Sequence, residues 1–297
     1  MAIKHTTRLK NLLAARQASV IPGAANALTA RIIAEQGFDV VYVSGAAIAN
    51  THLGLPDIGL VSLKEVVDHI SLMRDVVELP LLVDGDTGFG NAINVVRTVE
   101  QFEKAGASGI QLEDQVFPKK CGHFAGKAVI TMEEMVQKIR AAVDSRRDAD
   151  FQIVARTDAR SIEGLNAALD RAGAYVEAGA DVTFVEAPTS TDELSRIASE
   201  LPVPQIANMV FGGKTPLTSQ HELAKMGFGG VLYANAALQV SVRAVGDMLS
   251  VLKETGSLDS IADRLATFDE RQLLVDKDKY DDLDRLYAAD NADQSSE

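Results

Sequence analysis

Eight short apolar runs, each separated from the next by a stretch of helical periodicity, leave this chain few architectures. The runs are residues 19–23, 40–44, 81–84, 109–113, 152–157, 182–186, 204–208 and 231–233. Runs this short and this continuously apolar read as strands of a parallel sheet buried on both faces. Between them, segments such as 25–36, 93–104, 132–143, 164–177 and 192–200 carry apolar residues at helical spacing. Three of these segments close on the phrases AGA or EQGF, at 105–107, 178–180 and 35–38. A glycine there suits the left-handed residue that ends a helix before the next strand. Eight strand–helix units without a long linker predict an α/β fold, a closed (β/α)8 TIM barrel rather than an open sheet. Such a barrel takes roughly 250 residues, so the 297 residues are read as a single domain. Aromatics are only 5% and Trp is absent, so Ala, Val, Leu and Ile must fill the interior. After the last strand, helices are predicted at 236–255, 260–266 and 269–280, more than barrel closure needs. The region of about 236–289 is expected to cap the barrel or reach a neighbouring subunit. The polar tail 290–297, DNADQSSE, is expected to be disordered.

In a barrel of this kind, chemistry sits at the C-terminal ends of the strands. Here nearly every strand ends in a polar group: Ser44 and Gly45, Asp84 and then Asp86, Glu113 and Asp114, Arg156 to Asp158, Glu186, and Asn208. Asp84 and Asp86, in VDGDTGFG, would face one side of a continuing strand. With Glu113 on the neighbouring strand they form an acidic trio that must be neutralised by protons or a cation. An all-oxygen set suits Mg²⁺ or Mn²⁺. Arg156, inside the apolar run QIVART, needs an acidic partner or an anionic ligand, and the two roles are compatible. Tyr42 would face the same side as Ser44. Asp57, in LGLPDIGL, is a turn residue or an outer carboxylate of the cation site.

The segment FPKKCGHFAGK at 117–127 holds the only cysteine, Cys121, beside two lysines, His123 and glycines. Neighbouring cations lower a thiol pKa, so a mobile acid/base loop is expected here. The run FGGKT at 211–215 lacks the full spacing of a phosphate-binding loop. No strand ends in lysine, which argues against a Schiff-base aldolase.

The formal net charge of -13 argues against non-specific nucleic-acid binding but not against an anionic substrate. A lone cysteine forms no intrachain disulfide. With no apolar run of 18 residues and no secretory-type N-terminus, a cytoplasmic protein without a membrane span is expected.

The chain resembles the isocitrate lyase/phosphoenolpyruvate mutase superfamily over nearly its whole length. The motifs that carry the resemblance are YVSGAA at 42–47, LGLPDIG at 53–59, DGDTGFGN at 84–91, LEDQVFPKKCGH at 112–123, ARTDAR at 155–160 and NMVFGGKTPL at 208–217. KKCGH marks the lyase branch, and CGHFAGK with ANAALQ is most similar to 2,3-dimethylmalate lyase and its relatives. The resemblance implies a Mg²⁺-dependent carbon–carbon lyase that cleaves a 2-hydroxy dicarboxylate, such as a 2-alkylmalate, into a 2-oxo acid and a carboxylate. It implies a metal held by Asp84 and Asp86, with Asp57 and Glu113 direct or through water. Substrate contacts are implied from Ser44, Gly45, Ala46, Cys121, Gly122, Arg156, Glu186 and Asn208. Cys121 is expected to act as general acid, Arg156 and His123 to stabilise the departing enolate, and Tyr42 or a carboxylate to serve as base. A tetramer of two dimers, with a helix exchanged between subunits, is also implied. Alternative activities are 2-methylisocitrate lyase, oxaloacetate hydrolase or decarboxylase, and a phosphonate mutase. Methylisocitrate lyases carry an Arg for the third carboxylate where this chain aligns Gln239.

Overall fold

The computed structural model describes residues 3–120 and 126–288. Eight parallel strands are present: β1 (Ser19–Ala24), β2 (Val41–Val43), β3 (Leu81–Asp84), β4 (Gly109–Glu113), β5 (Gln152–Thr157), β6 (Val182–Val185), β7 (Ile206–Asn208) and β8 (Gly230–Tyr233). Their hydrogen-bonded order is β6-β5-β4-β3-β2-β1-β8-β7. The remaining seam is narrow. Thr183 of β6 bridges Gln205 just before β7, and the Thr183 N–H donates to the Pro204 carbonyl at 3.1 Å. The ring is therefore a nearly closed (β/α)8 barrel, as the alternating pattern predicts.

The strands are short because each need only span the barrel wall. Strand side chains alternate between two cores. Val43, Val83 and Ala155 face outward into the layer between strands and helices. Tyr42, Leu82, Val154, Phe184, Ile206 and Leu232 fill the barrel interior together with Leu9 and Leu13. Those two leucines belong to the helix His5–Ala14, which the sequence reading did not single out, and neither did it name the helix Leu63–Arg74. A Cβ on Gly109 at the start of β4 would meet Leu9, and one on Gly230 at the start of β8 would meet Leu13. The N-terminal helix therefore plugs the end of the barrel opposite the polar strand ends.

Helix boundaries follow local chemistry. Ser62 and Glu65 form a reciprocal capping box at the start of Leu63–Arg74, and Thr131 caps Met132–Ser145. The predicted glycine stops are real: Gly106 and Gly179 adopt φ of 98° and 104°, where a side chain would be strained.

By compactness the chain divides into Met1–Ser241 and Val242–Glu297. The helix Ala236–Thr255 has the predicted bounds. Beyond it, 260–266 is a 3-10 turn, Asp259–Arg264. The predicted helix 269–280 is two helices, Phe268–Leu274 and Lys277–Tyr287, broken at Asp276 with φ 61°. The tail 290–297 and its neighbour at 289 lie outside the described residues. Among the described residues, no helix is long and apolar enough to cross a membrane.

Candidate active site

Interior positions continue past the apolar strand residues and become polar at the mouth. Tyr42 leads to Ser44, Leu82 to Asp84, Gln111 to Glu113, Val154 to Arg156, Phe184 to Glu186 and Ile206 to Asn208. The same two-residue period that packs the core thus aims these groups inward. They line one small cavity of about 60 Å³ with Ala46, Asp57, Lys119, Lys120 and Asn235.

Asp84 and Asp86 converge above Gly45. A Cβ at Gly45 would sit 3.1 Å from Asp84 Oδ2 and 3.4 Å from Asp86 Oδ1. Any larger residue would therefore intrude on the space the two carboxylates share. Lys119 enters this acidic group from the loop after β4. Its Nζ lies 2.5 Å from Asp57 Oδ1 and 2.9 Å from Asp86 Oδ1, and it is almost wholly buried. Burial opposes its charge, but Asp86, Asp84, Glu113 and Asp57 hold the ammonium well above its ordinary pKa. Burial, with Asp84 and Asp57 adding, pushes Asp86 up to about 7 against the pull of Lys119.

Glu113 is buried, and its Oε1 has no hydrogen-bond partner among the described residues. Burial raises its carboxyl well above the usual range, with Arg156 opposing. The Tyr42 hydroxyl donates to Gln111 Oε1 at 3.0 Å. Burial, and then Asp84, keep that phenol protonated far above its ordinary value. Ser44 Oγ donates to Asn235 Oδ1 at 3.0 Å and accepts from the Ala47 N–H at 3.2 Å.

Arg156, on β5 beside Glu113, is the hub of a second charged group. Its Nε and one terminal nitrogen donate to Asp158 at 2.9 and 3.2 Å. The guanidinium also lies 3.2 Å from Glu186 and 3.5 Å from Glu113, and stacks over Phe184 at 5.1 Å. Burial works against its charge, but Asp158, Glu186 and Glu113 outweigh it and raise its pKa well above normal. Asp158 is itself fixed: its N–H donates to Asp114, which also accepts from Thr157 and Tyr175.

Cys121, Gly122 and His123 lie outside the described residues. The chain on either side of them is firmly held. Gln115 grips both the N–H and the carbonyl of Lys120, at 2.9 and 2.8 Å. Lys120 Nζ donates to the Gly126 carbonyl at 2.9 Å, and Lys127 Nζ lies 2.7 Å from Asp158 in a fully buried ion pair. Substituting Lys127 by Met is expected to cost about 3 kcal/mol in chemical denaturation, because a buried carboxylate loses a partner. It should also lower kcat/KM about tenfold by loosening Arg156, with Lys127→Arg restoring most of both.

The structure thus brings together Tyr42, Ser44, Ala46, Asp57, Asp84, Asp86, Glu113, Arg156, Glu186 and Asn208, with Gly45 beneath them. Lys119 and Asp158 were not assigned site roles from the sequence. For Asp158 a signal existed, since it follows Arg156 by two residues. For Lys119 the doubled lysine did not say which one turns inward.

A profile of the phosphoenolpyruvate phosphomutase family matches residues 9–253. The chain belongs to this family. Within it, the chain is 43% identical over 281 residues to 2,3-dimethylmalate lyase of Eubacterium barkeri, covering 95% of this chain and 97% of the relative. It is 45% identical over 276 residues to 2-methylisocitrate lyase of Aeropyrum pernix, covering 93% and 89%. Both relatives are lyases. A crystal structure of 2,3-dimethylmalate lyase, a member of the same superfamily, matches with a TM-score of 0.91 at 31% identity over the whole of both chains. A phosphonopyruvate hydrolase structure with oxalate and Mg²⁺ matches with a TM-score of 0.87 at 28% identity, covering 97% of this chain and 100% of that one.

The family barrel of this chain also carries a donor set that fits a divalent cation. Asp84 and Asp86 present oxygens to one point, Glu113 keeps a buried oxygen without a hydrogen bond among the described residues, and the group already draws the Lys119 ammonium inward. Among the described residues, no three His, Cys, Asp or Glu side chains stand close enough to hold a metal by themselves.

Proposed function

We propose that this chain is a Mg²⁺-dependent carbon–carbon lyase acting on a 2-hydroxy dicarboxylate of the 2-alkylmalate class, releasing a 2-oxo acid such as pyruvate and a carboxylate. One observation carries the reading: Asp84, with Asp86 beside it, and the buried Arg156 meet at one small cavity in the mouth. In this proposal Asp84 and Asp86 would hold the ion, with Asp57 and Glu113 reached through water. When bound, it would acidify the substrate hydroxyl and fix the adjacent carboxylate. Mn²⁺ would serve in the same place.

Arg156 orients the distal carboxylate and faces the charge that develops as the C2–C3 bond breaks. The base is a carboxylate of the acidic group rather than Tyr42, whose hydrogen is already given to Gln111. The hydroxyl proton goes to that carboxylate, the C2–C3 bonding pair stays on the departing carbon, and Cys121 supplies that carbon's new proton. Ser44, Gly45, Ala46, Gly122, Glu186 and Asn208 complete the substrate pocket, and His123 adds a donor to the departing enolate.

An adjoining cavity of about 380 Å³ favours alkylmalates over tricarboxylates. It shares Val210 and Asn235 with the site, is walled by Met209, Phe211, Leu217 and Tyr233, and has no charged side chain in its lining. The discriminating assay follows product release from 2,3-dimethylmalate, 2-methylisocitrate, isocitrate and oxaloacetate. Highest kcat/KM on 2,3-dimethylmalate is expected, and failure to cleave any of the four rejects the proposal.

The cation reading makes a pH prediction. A carboxyl whose folded pKa is raised, as for Asp86, binds protons more tightly folded than unfolded. It therefore subtracts stability as pH rises from about 4 towards about 7. Mg²⁺ at about a hundredfold over its Kd should return roughly 2.7 kcal/mol. A Tm increase of about 5 °C is expected at pH 8 and almost none at pH 5, and Asp86→Asn should abolish the difference.

We also propose a cytoplasmic homotetramer with exchange of the C-terminal helix. The helix Ala236–Thr255 exposes Val240, Val242, Val245, Leu249 and Leu252, an apolar row long enough to need a partner. Light scattering is expected to give four chains per particle; a monomer rejects this part.

A further inference from the structure

Outside the ring of strands lies a cavity of about 1000 Å³, set among the helices Leu63–Arg74, Ala92–Lys104 and Met132–Ser145. Its walls are drawn from four segments that begin at Gly59, Phe89, Gln115 and Val129 and end at Leu63, Thr98, Phe117 and Lys138. Leu60, Phe89, Val116 and Phe117 make much of it apolar. Two cations, Arg97 and Lys138, line it against one acid, Glu134. Lys138 is 4% exposed, and among the described residues its ammonium makes one hydrogen bond, to the Thr87 carbonyl at 3.1 Å. An ammonium has three N–H groups to place. Burial also lowers its pKa, with only Glu134 opposing.

We propose that this cavity is a second binding site, for a small amphipathic organic anion. The apolar body lies against the wall, and the acid group meets Lys138 and Arg97. Occupancy is coupled to the acidic turn of the barrel mouth. Thr87, held by Lys138, directly follows Asp86. Gln115, in the same wall, is the residue that grips Lys120. A Cβ on Gly59, also in the wall, would meet Phe117 and the Lys119 backbone nitrogen, two residues after Asp57 in the chain. An anion on Lys138 thus shares the ammonium that steadies the turn, and any effect on that turn is reciprocal. None of this depends on which substrate the barrel cleaves.

The full-length protein is titrated with 8-anilino-1-naphthalenesulfonate, an aromatic body carrying a sulfonate, and with decanoate as competitor. One probe molecule per chain, displaced by decanoate, is expected. Lys138→Met and Arg97→Glu should each weaken the probe about tenfold, the loss of one charge-assisted contact. Arg97 is exposed, so its variant decides the matter where Lys138→Met fails to fold. With decanoate bound, amide exchange is expected to slow at 87–98 and 115–120. Wild-type affinity in both charge variants, or exchange unaltered at those two segments, overturns the proposal.

Discussion

Replacing Arg156 by Leu is expected to lower kcat/KM by about three orders of magnitude and to destabilise the fold. The two effects share one cause. The guanidinium is the only cation within 3.5 Å of three buried carboxylates at once, namely Glu113, Asp158 and Glu186, among the described residues. Removing it takes away the guanidinium that Glu113 and Glu186 share in a poorly solvated wall. Breaking a buried pair in this way costs about 3–5 kcal/mol. Loss of a preorganised donor facing developing charge costs about 10²–10³ in turnover, and weaker substrate binding adds to it. Arg156→Lys separates the contributions. It keeps the charge but loses the fork that meets Asp158 with two nitrogens. Stability should return most of the way, while kcat/KM stays at least tenfold down. Urea unfolding and steady-state kinetics read the two independently. If both variants keep wild-type kcat/KM, Arg156 is a structural ion-pair residue and nothing more.

The barrel and most of its mouth were legible in the sequence because one rule governs both. A two-residue period placed Leu82 in the core, and the same period carried Asp84 to the rim; Val154 and Arg156 repeat the relation. Where that rule stops, legibility stops. Lys119 and Lys120 are adjacent in a loop, and only the fold sends the first to Asp57 and Asp86 and the second to the Gly126 carbonyl. Asp158 is placed by period, yet its role depends on Lys127, which lies 31 residues away in the chain. At the other end, apolar spacing runs on through 269–280, and nothing in it foretells the left-handed Asp276 that divides the segment. Periodicity reports which face a residue takes. It does not report which charge will find which partner across a loop.

Cys121→Ser is expected to depress kcat by about 10² or more while KM and stability stay near wild type. A Ser hydroxyl is nearly the size of the thiol but a far weaker acid, so the change isolates proton donation from packing. The neighbours favour a thiol with work to do. Lys120, bonded directly to Cys121, lines the cavity, and the chain on both sides is pinned: at Lys120 by Gln115, and at Lys127 by Asp158. An acid acting late, on the enolate already released from C2, slows turnover without weakening substrate binding. A loss confined to KM would contradict that order of events. So would a loss matched by reduced Tm, which would place Cys121 in the packing of the loop. Solvent deuterium offers a second reading. In the wild type, one deuteron should enter the carboxylate product with a single stereochemistry. In Cys121→Ser, water replaces the thiol as donor, and that stereochemical purity should fall. Near-wild-type turnover with unchanged stereochemistry would falsify the assignment and leave the proton to another group at the mouth.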